Sequence, residues 1–197
     1  MVKLVKENEK PEDLLSGTIT VNDRSIVFSG NVTEETAGIL ISTILKFNQD
    51  DAKSQETLVD YTPMPICIYI NTNGGDLHSA LAIVDIIETS VTPVFTFCVG
   101  GCFSAGFLML LAGHKRFITE NSYCMYHNLW HAAAGRLGQI EEIVDQDVEL
   151  QDRIDKFVIK RCKITKKMLD EIRKQKKDFF MNAEECCKFK VVDYIVK

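Results

Sequence analysis

Residues 94–113 read VFTFCVGGCFSAGFLMLLAG. Five of the first six are β-branched or aromatic and suit a strand, the glycine pair suits a turn, and the leucine-rich remainder suits a helix. From Ser90 to Gly113 there is no charged side chain, long enough to span a bilayer. Pro93, Gly100, Gly101 and Gly106 interrupt it, so it reads as a buried strand, a glycine turn and a buried helix. Ser104 sits where that helix begins. It is either a small packing or N-cap residue, or a nucleophile held at a helix N-terminus; these residues alone leave both readings open.

The same strand, turn and helix order recurs outward from this stretch. ICIYI (66–70) is a continuous apolar strand of the kind buried on both faces. It ends in NTNGG, and Asp76 then caps a helix whose Leu77, Ala80, Leu81, Val84 and Ile87 share one face. Upstream, GTITV and SIVFSG are short strands around the turn NDR, Asn31 with Glu34 opens a helix over TEETAGILISTILKF, and NQDDAKSQETLVDYTPMP reads as a polar loop. Downstream, KRFIT and SYCMY are short strands. A long helix runs from Leu137 to Arg161, acidic first and basic last as the helix dipole favours. Thr165 caps TKKMLDEIRKQ, Asn182 with Glu185 opens a last short helix, and VVDYIV closes the chain as a strand. Such alternation predicts an α/β fold with a mainly parallel sheet. Residues 1–15 form a loosely ordered polar segment, and 16–197 form one domain.

Composition narrows the function. Apolar content of 46% and charged content of 26% suit a globular domain, and a net charge of −5 argues against nucleic acid as partner. Seven cysteines without a C-x-x-C fit reduced, buried thiols of a cytoplasmic protein better than a disulfide framework. MVKLVKENEKPEDLL lacks the apolar stretch of a signal peptide, and neither a membrane nor a bound cofactor is called for.

In parallel sheets, function gathers past the carboxyl ends of strands, here NTNGG and GGCFS. The first can expose amides in a concave nest, for a phosphate or an oxyanion, or be a plain turn; no phosphate-loop signature accompanies it. At the second, G-x-S-x-G is missing because Cys102 and Phe103 precede Ser104. A serine nucleophile needs a base and an orienting acid. Of the four histidines, His127, closing the apolar SYCMY strand, is the best base. HNLWH spaces His127 and His131 as a zinc pair would, but starts at a strand end and lacks the glutamate of H-E-x-x-H, so no metal is expected. Asp178 lies between KQKK and FFM, which puts a carboxylate at the edge of the core; Asp152 and Asp155 read as a solvated helix face.

Taken in order, YINTNGGD, GGCFSAGFLMLLAGHKRF, NSYCMYH, KKDFFMNAEE and KVVDYI resemble the proteolytic subunit of the Clp protease, the ClpP family of serine peptidases. The likeness runs from about Ser25 to the C-terminus, and HNLW is closer to phage and prophage members. The resemblance implies the ClpP/crotonase type of stacked β-α units, with the Leu137–Arg161 helix as a protruding handle. It implies a triad of Ser104, His127 and Asp178, and an oxyanion hole from the backbone amides of Gly75 and Ala105. An extended substrate would lie between Gly74, Asp76 and Leu77 on one side and Leu129, Trp130 and His131 on the other. It further implies two stacked heptameric rings in a bacterial cytoplasm, phage- or prophage-encoded, with polypeptide substrates and an AAA+ unfoldase that alone uses ATP. The sequence departs from the family pattern in Thr72-Asn73 for the usual Ser-Pro, in KQKKD before and at the acid, and in Cys67 and Ser90 where aromatic residues are common. The alternatives are a catalytically silent ring subunit, a crotonase-type acyl-thioester enzyme, and a serine–lysine peptidase, for which no lysine lies in a comparable apolar setting.

Overall fold

A computed structural model describes residues 18–197; the predicted loose segment 1–15 lies outside them. The elements run β1 (Thr18–Asn22), β2 (Ser25–Ser29), α1 (Glu34–Thr57), β3 (Ile66–Thr72), α2 (Leu77–Thr89), β4 (Val94–Phe103), α3 (Ala105–Ala112), β5 (Lys115–Thr119), β6 (Tyr123–Tyr126), α4 (Leu137–Arg161), α5 (Lys166–Gln175), β7 (Phe179–Asn182), α6 (Ala183–Lys188) and β8 (Tyr194–Val196). The order across the sheet is β1-β2-β3-β4-β5-β8, with β6 and β7 branching from β4. Pairing is parallel from β2 through β8 and antiparallel at β1–β2 and β6–β7. This is the α/β architecture the strand–helix alternation predicts.

β4 is the pivot. Phe95–Cys98 pair with β5, whereas Gly101–Phe103 pair with β6. The glycine pair is therefore no turn between strand and helix, as the sequence suggests. Gly100, at φ +83°, bends a single strand so that its end joins a second partner. A side chain there would meet Asn71 Oδ1 at 2.9 Å. The strand feeds straight into α3, all of whose residues from Ala105 to Ala112 are buried, as a helix apolar all round must be.

β3 alternates rather than lying buried on both faces. Ile66, Ile68 and Ile70 are fully buried, whereas Cys67 and Tyr69 are half-buried. On that second face Tyr69, Phe97, Phe117 and Tyr194 stack in sequence, with centroids 4.7, 4.5 and 5.2 Å apart. The core proper lies beneath α1, α2 and α3, on Ile26, Phe28, Ile68, Ile70, Phe107 and Leu110.

Two local readings need correction. α1 is capped by Thr33, in a box with Thr36, and not by Asn31 with Glu34; it continues to Thr57 through the stretch that reads as a polar loop. Asp51 explains the extension. It is 1% exposed and accepts hydrogen bonds from Arg24, Tyr61 and Thr92, so the polar half of the helix still has a buried side. Asp155, read as solvated, is also 1% exposed. α4 spans the predicted residues, packs through its C-terminal half on α3 and α5, and leaves Val144 and Val148 exposed on its N-terminal half. Of the cysteines, all unpaired, Cys98, Cys102, Cys124 and Cys186 are buried. No helix among the described residues is long and apolar enough to cross a membrane.

Candidate active site

Three strand ends converge. β3 ends at Thr72, and Thr72 Oγ1 accepts a hydrogen bond from the Gly74 amide at 3.0 Å while donating to the Gly30 carbonyl. This hydroxyl shapes the turn without the proline common in the resemblance. Gly74 (φ +104°) packs against the start of α3, where an added Cβ would lie 2.7 Å from Ser104 Cβ and 3.1 Å from the Ala105 nitrogen. Gly75 (φ +147°) abuts Val32, whose carbonyl would be 2.2 Å from an added Cβ. Asp76 caps α2 by accepting from the Ser79 amide at 2.7 Å, and the Ser79 hydroxyl together with that amide holds its carboxyl below the usual range.

Ser104 ends β4 with φ 54° and ψ −118°, a conformation that costs a non-glycine residue roughly 1–3 kcal/mol. It occupies the N-cap position of α3 but makes no side-chain cap bond. Its own amide donates to Met125 O on β6 at 2.9 Å, which ties the strained turn to the strand that His127 directly follows. His127 Nε2 and Ser104 Oγ are 2.7 Å apart, within hydrogen-bond reach. No hydrogen bond among the described residues occupies the Gly75 or Ala105 amide. Both residues line a cleft of about 500 Å³ with Ser104, His127, Asp76 and Leu77. Leu129, Trp130 and His131 form its other wall, and Leu108, Leu150 and Ile154 its apolar floor.

The chain belongs to the Clp protease family. The family's sequence profile matches residues 9–197. The ATP-dependent Clp protease proteolytic subunit 1 of Bacillus cereus is 28% identical over the whole of this chain and 96% of its own length. The chain is thus a Clp-family peptidase, a hydrolase.

Within this Clp-family peptidase the remaining candidate residues fall as follows. Asp178 is exposed, and no hydrogen bond or ion pair among the described residues involves it. β6 and β7 pair antiparallel out to Tyr126 and Phe179, and His127 and Asp178 are the residues that adjoin that last pair in the chain. His131 turns away from His127 to Asp147, with Nδ1 2.9 Å from Oδ2. Trp130 is 79% exposed. Sequence reasoning missed Tyr126, Gln151 and Asp155, which form a buried cluster behind His127. Burial alone would push the Asp155 carboxyl up, but hydrogen bonds from Gln151, Tyr126 and Lys166 and the charge of Arg173 hold it below its ordinary value. Burial, with Asp155 alongside, pushes the Tyr126 hydroxyl well up. No local spacing announces this cluster, because Tyr126 comes from β6, Gln151 and Asp155 from α4, and the cations that meet Asp155 from α5.

Proposed function

We propose that this protein is a serine endopeptidase in which Ser104 attacks a peptide carbonyl, His127 is the general base and Asp178 orients the imidazole. The reading rests on one observation: the 2.7 Å contact between His127 Nε2 and Ser104 Oγ, at the N-terminus of a buried helix. With Nε2 unprotonated, the imidazole takes the Ser104 proton as Oγ bonds to the carbonyl carbon. The Gly75 and Ala105 amides receive the oxyanion, each donor worth about 3 kcal/mol in such a hole. The C–N bond then breaks, the proton passes from Nε2 to the leaving amine, and an ester on Ser104 remains. His127 next deprotonates a water that attacks the ester, which frees the acid and restores the hydroxyl.

The substrate lies extended between Gly74–Leu77 and Leu129–His131, adding main-chain hydrogen bonds. The cut itself uses no bound metal or cofactor. Unfolded polypeptides and short peptides are the substrate class, degraded inside two stacked heptameric rings joined through α4, in a bacterial cytoplasm. Any ATP is used by a partner AAA+ unfoldase.

Treatment with a fluorophosphonate followed by intact-mass measurement tests the reading: a single adduct, absent in Ser104→Ala, is expected. Absence of an adduct on the assembled wild-type protein would overturn it. That outcome would favour a catalytically silent ring subunit, a second reading that the exposed, unbonded Asp178 supports.

A further inference from the structure

Beyond β6 the chain has no regular structure until α4, so the direction of the His127 ring depends on what fixes the backbone around it. One side chain does this from both sides. Gln151, 8% exposed on α4, accepts a hydrogen bond at Oε1 from the Leu129 amide at 2.6 Å. Its Nε2 donates to the Tyr126 hydroxyl at 3.0 Å and to Asp155 Oδ1 at 2.8 Å. A single carboxamide therefore grips the residue before His127 and the residue two beyond it.

The grip is itself held. Tyr126 donates its hydroxyl proton to Asp155 Oδ1 at 2.8 Å. Asp155 Oδ2 accepts from Lys166 Nζ at 3.1 Å and Arg173 Nη2 at 2.6 Å, both on α5. The Tyr126 ring also meets Phe107 of α3 edge-on, with centroids 5.9 Å apart. Every donor and acceptor of the Gln151 amide faces a partner of matching kind, which orients it uniquely.

We infer that Gln151 is a positioning residue for the peptidase: it fixes the Tyr126–Leu129 segment from α4, and through it the angle at which His127 meets Ser104. This rests on the proposed roles of Ser104 and His127. Gln151 touches neither of them, and its effect is on how often the imidazole stands in line with the hydroxyl. A misplacement of about 1 Å can cost on the order of a hundredfold in rate.

The test uses the full-length assembled protein. Hydrogen exchange followed by mass spectrometry on peptides covering residues 127–131 should show the Leu129 amide protected in the wild type and fast-exchanging in Gln151→Met, a near-isostere without the amide. On a short fluorogenic peptide, kcat of Gln151→Met should fall by roughly ten- to a hundredfold with KM within about threefold, and the rate of fluorophosphonate labelling should fall in step. A fast-exchanging Leu129 amide in the wild type overturns the inference without any variant. So does a Gln151→Met protein that labels at the wild-type rate, or faster. If the wild type itself takes no label while Leu129 stays protected, the reading of Ser104 fails instead, and the two failures are distinguishable.

Discussion

Tyr126 faces Phe179 as the last β6–β7 pair, which makes His127 and Asp178 the next residues along the chain on either side of it, and no hydrogen bond joins the two. Residues facing across an antiparallel pair have Cβ atoms about 4.5–5.5 Å apart, so extending the register by one residue would bring the Asp178 carboxylate within reach of His127 Nδ1. Asp178 has no other partner among the described residues and is exposed, so its replacement should scarcely alter stability. Asp178→Asn is expected to lower kcat by about three to four orders of magnitude, as loss of the orienting acid does in serine peptidases, with the melting temperature unchanged. Wild-type kcat in this variant would remove Asp178 from the mechanism.

The glycines separate close approach from mere flexibility. An alanine Cβ at Gly74 would sit 2.7 Å from Ser104 Cβ and 2.9 Å from Phe103 O, with φ at +104°. Gly74→Ala should therefore displace the nucleophile, lowering kcat by roughly a hundredfold and stability by about 1–3 kcal/mol. Gly38, within α1, has nothing within 4 Å of an added Cβ. Gly38→Ala should raise stability by about 0.5–1 kcal/mol and leave peptidase activity alone. Thermal melts and initial rates on the two variants check the contrast.

Acid should loosen the α1 anchor. Burial opposes the Asp51 charge, but hydrogen bonds from Arg24, Thr92 and Tyr61 hold its carboxyl down at about 2. A carboxyl lowered in the folded state stabilises above its unfolded value, near 3.9, and that contribution disappears as pH falls through the folded value. Asp51→Asn should cost about 2 kcal/mol at pH 7, and the gap should close between pH 4 and 2. Urea midpoints for wild type and variant, at one protein concentration and several pH values, measure this. A gap that persists undiminished at low pH would contradict it.

The sequence carried the elements that local pattern determines. The apolar run after Phe103 marks α3, Asp76 and Thr165 mark helix starts that are capped as read, and α4 has the span its repeat suggests. What escaped depends on partners far along the chain. Asp51 shares a face with Leu40 and Ile44, a spacing that hinted at the longer α1, but its burial follows from Arg24, Tyr61 and Thr92. Asp155 looks like any carboxylate on an acidic helix until Tyr126, Lys166 and Arg173 surround it. The positive φ of Ser104 was equally hidden, because G-x-S-x-G, the usual mark of a strained serine turn, is absent.

The N-terminal half of α4 leaves Leu137, Val144 and Val148 at 72%, 51% and 62% exposure. They repeat at helical spacing beside Ile140 and form an apolar stripe left uncovered among the described residues, a pattern typical of interaction surfaces. If α4 joins two rings, a charge on this stripe should separate them without unfolding the subunit. Val148→Glu is expected to halve the assembly mass in sedimentation velocity while the far-ultraviolet circular dichroism stays as in the wild type. An undiminished assembly mass in Val148→Glu would mean that the rings meet through some other surface.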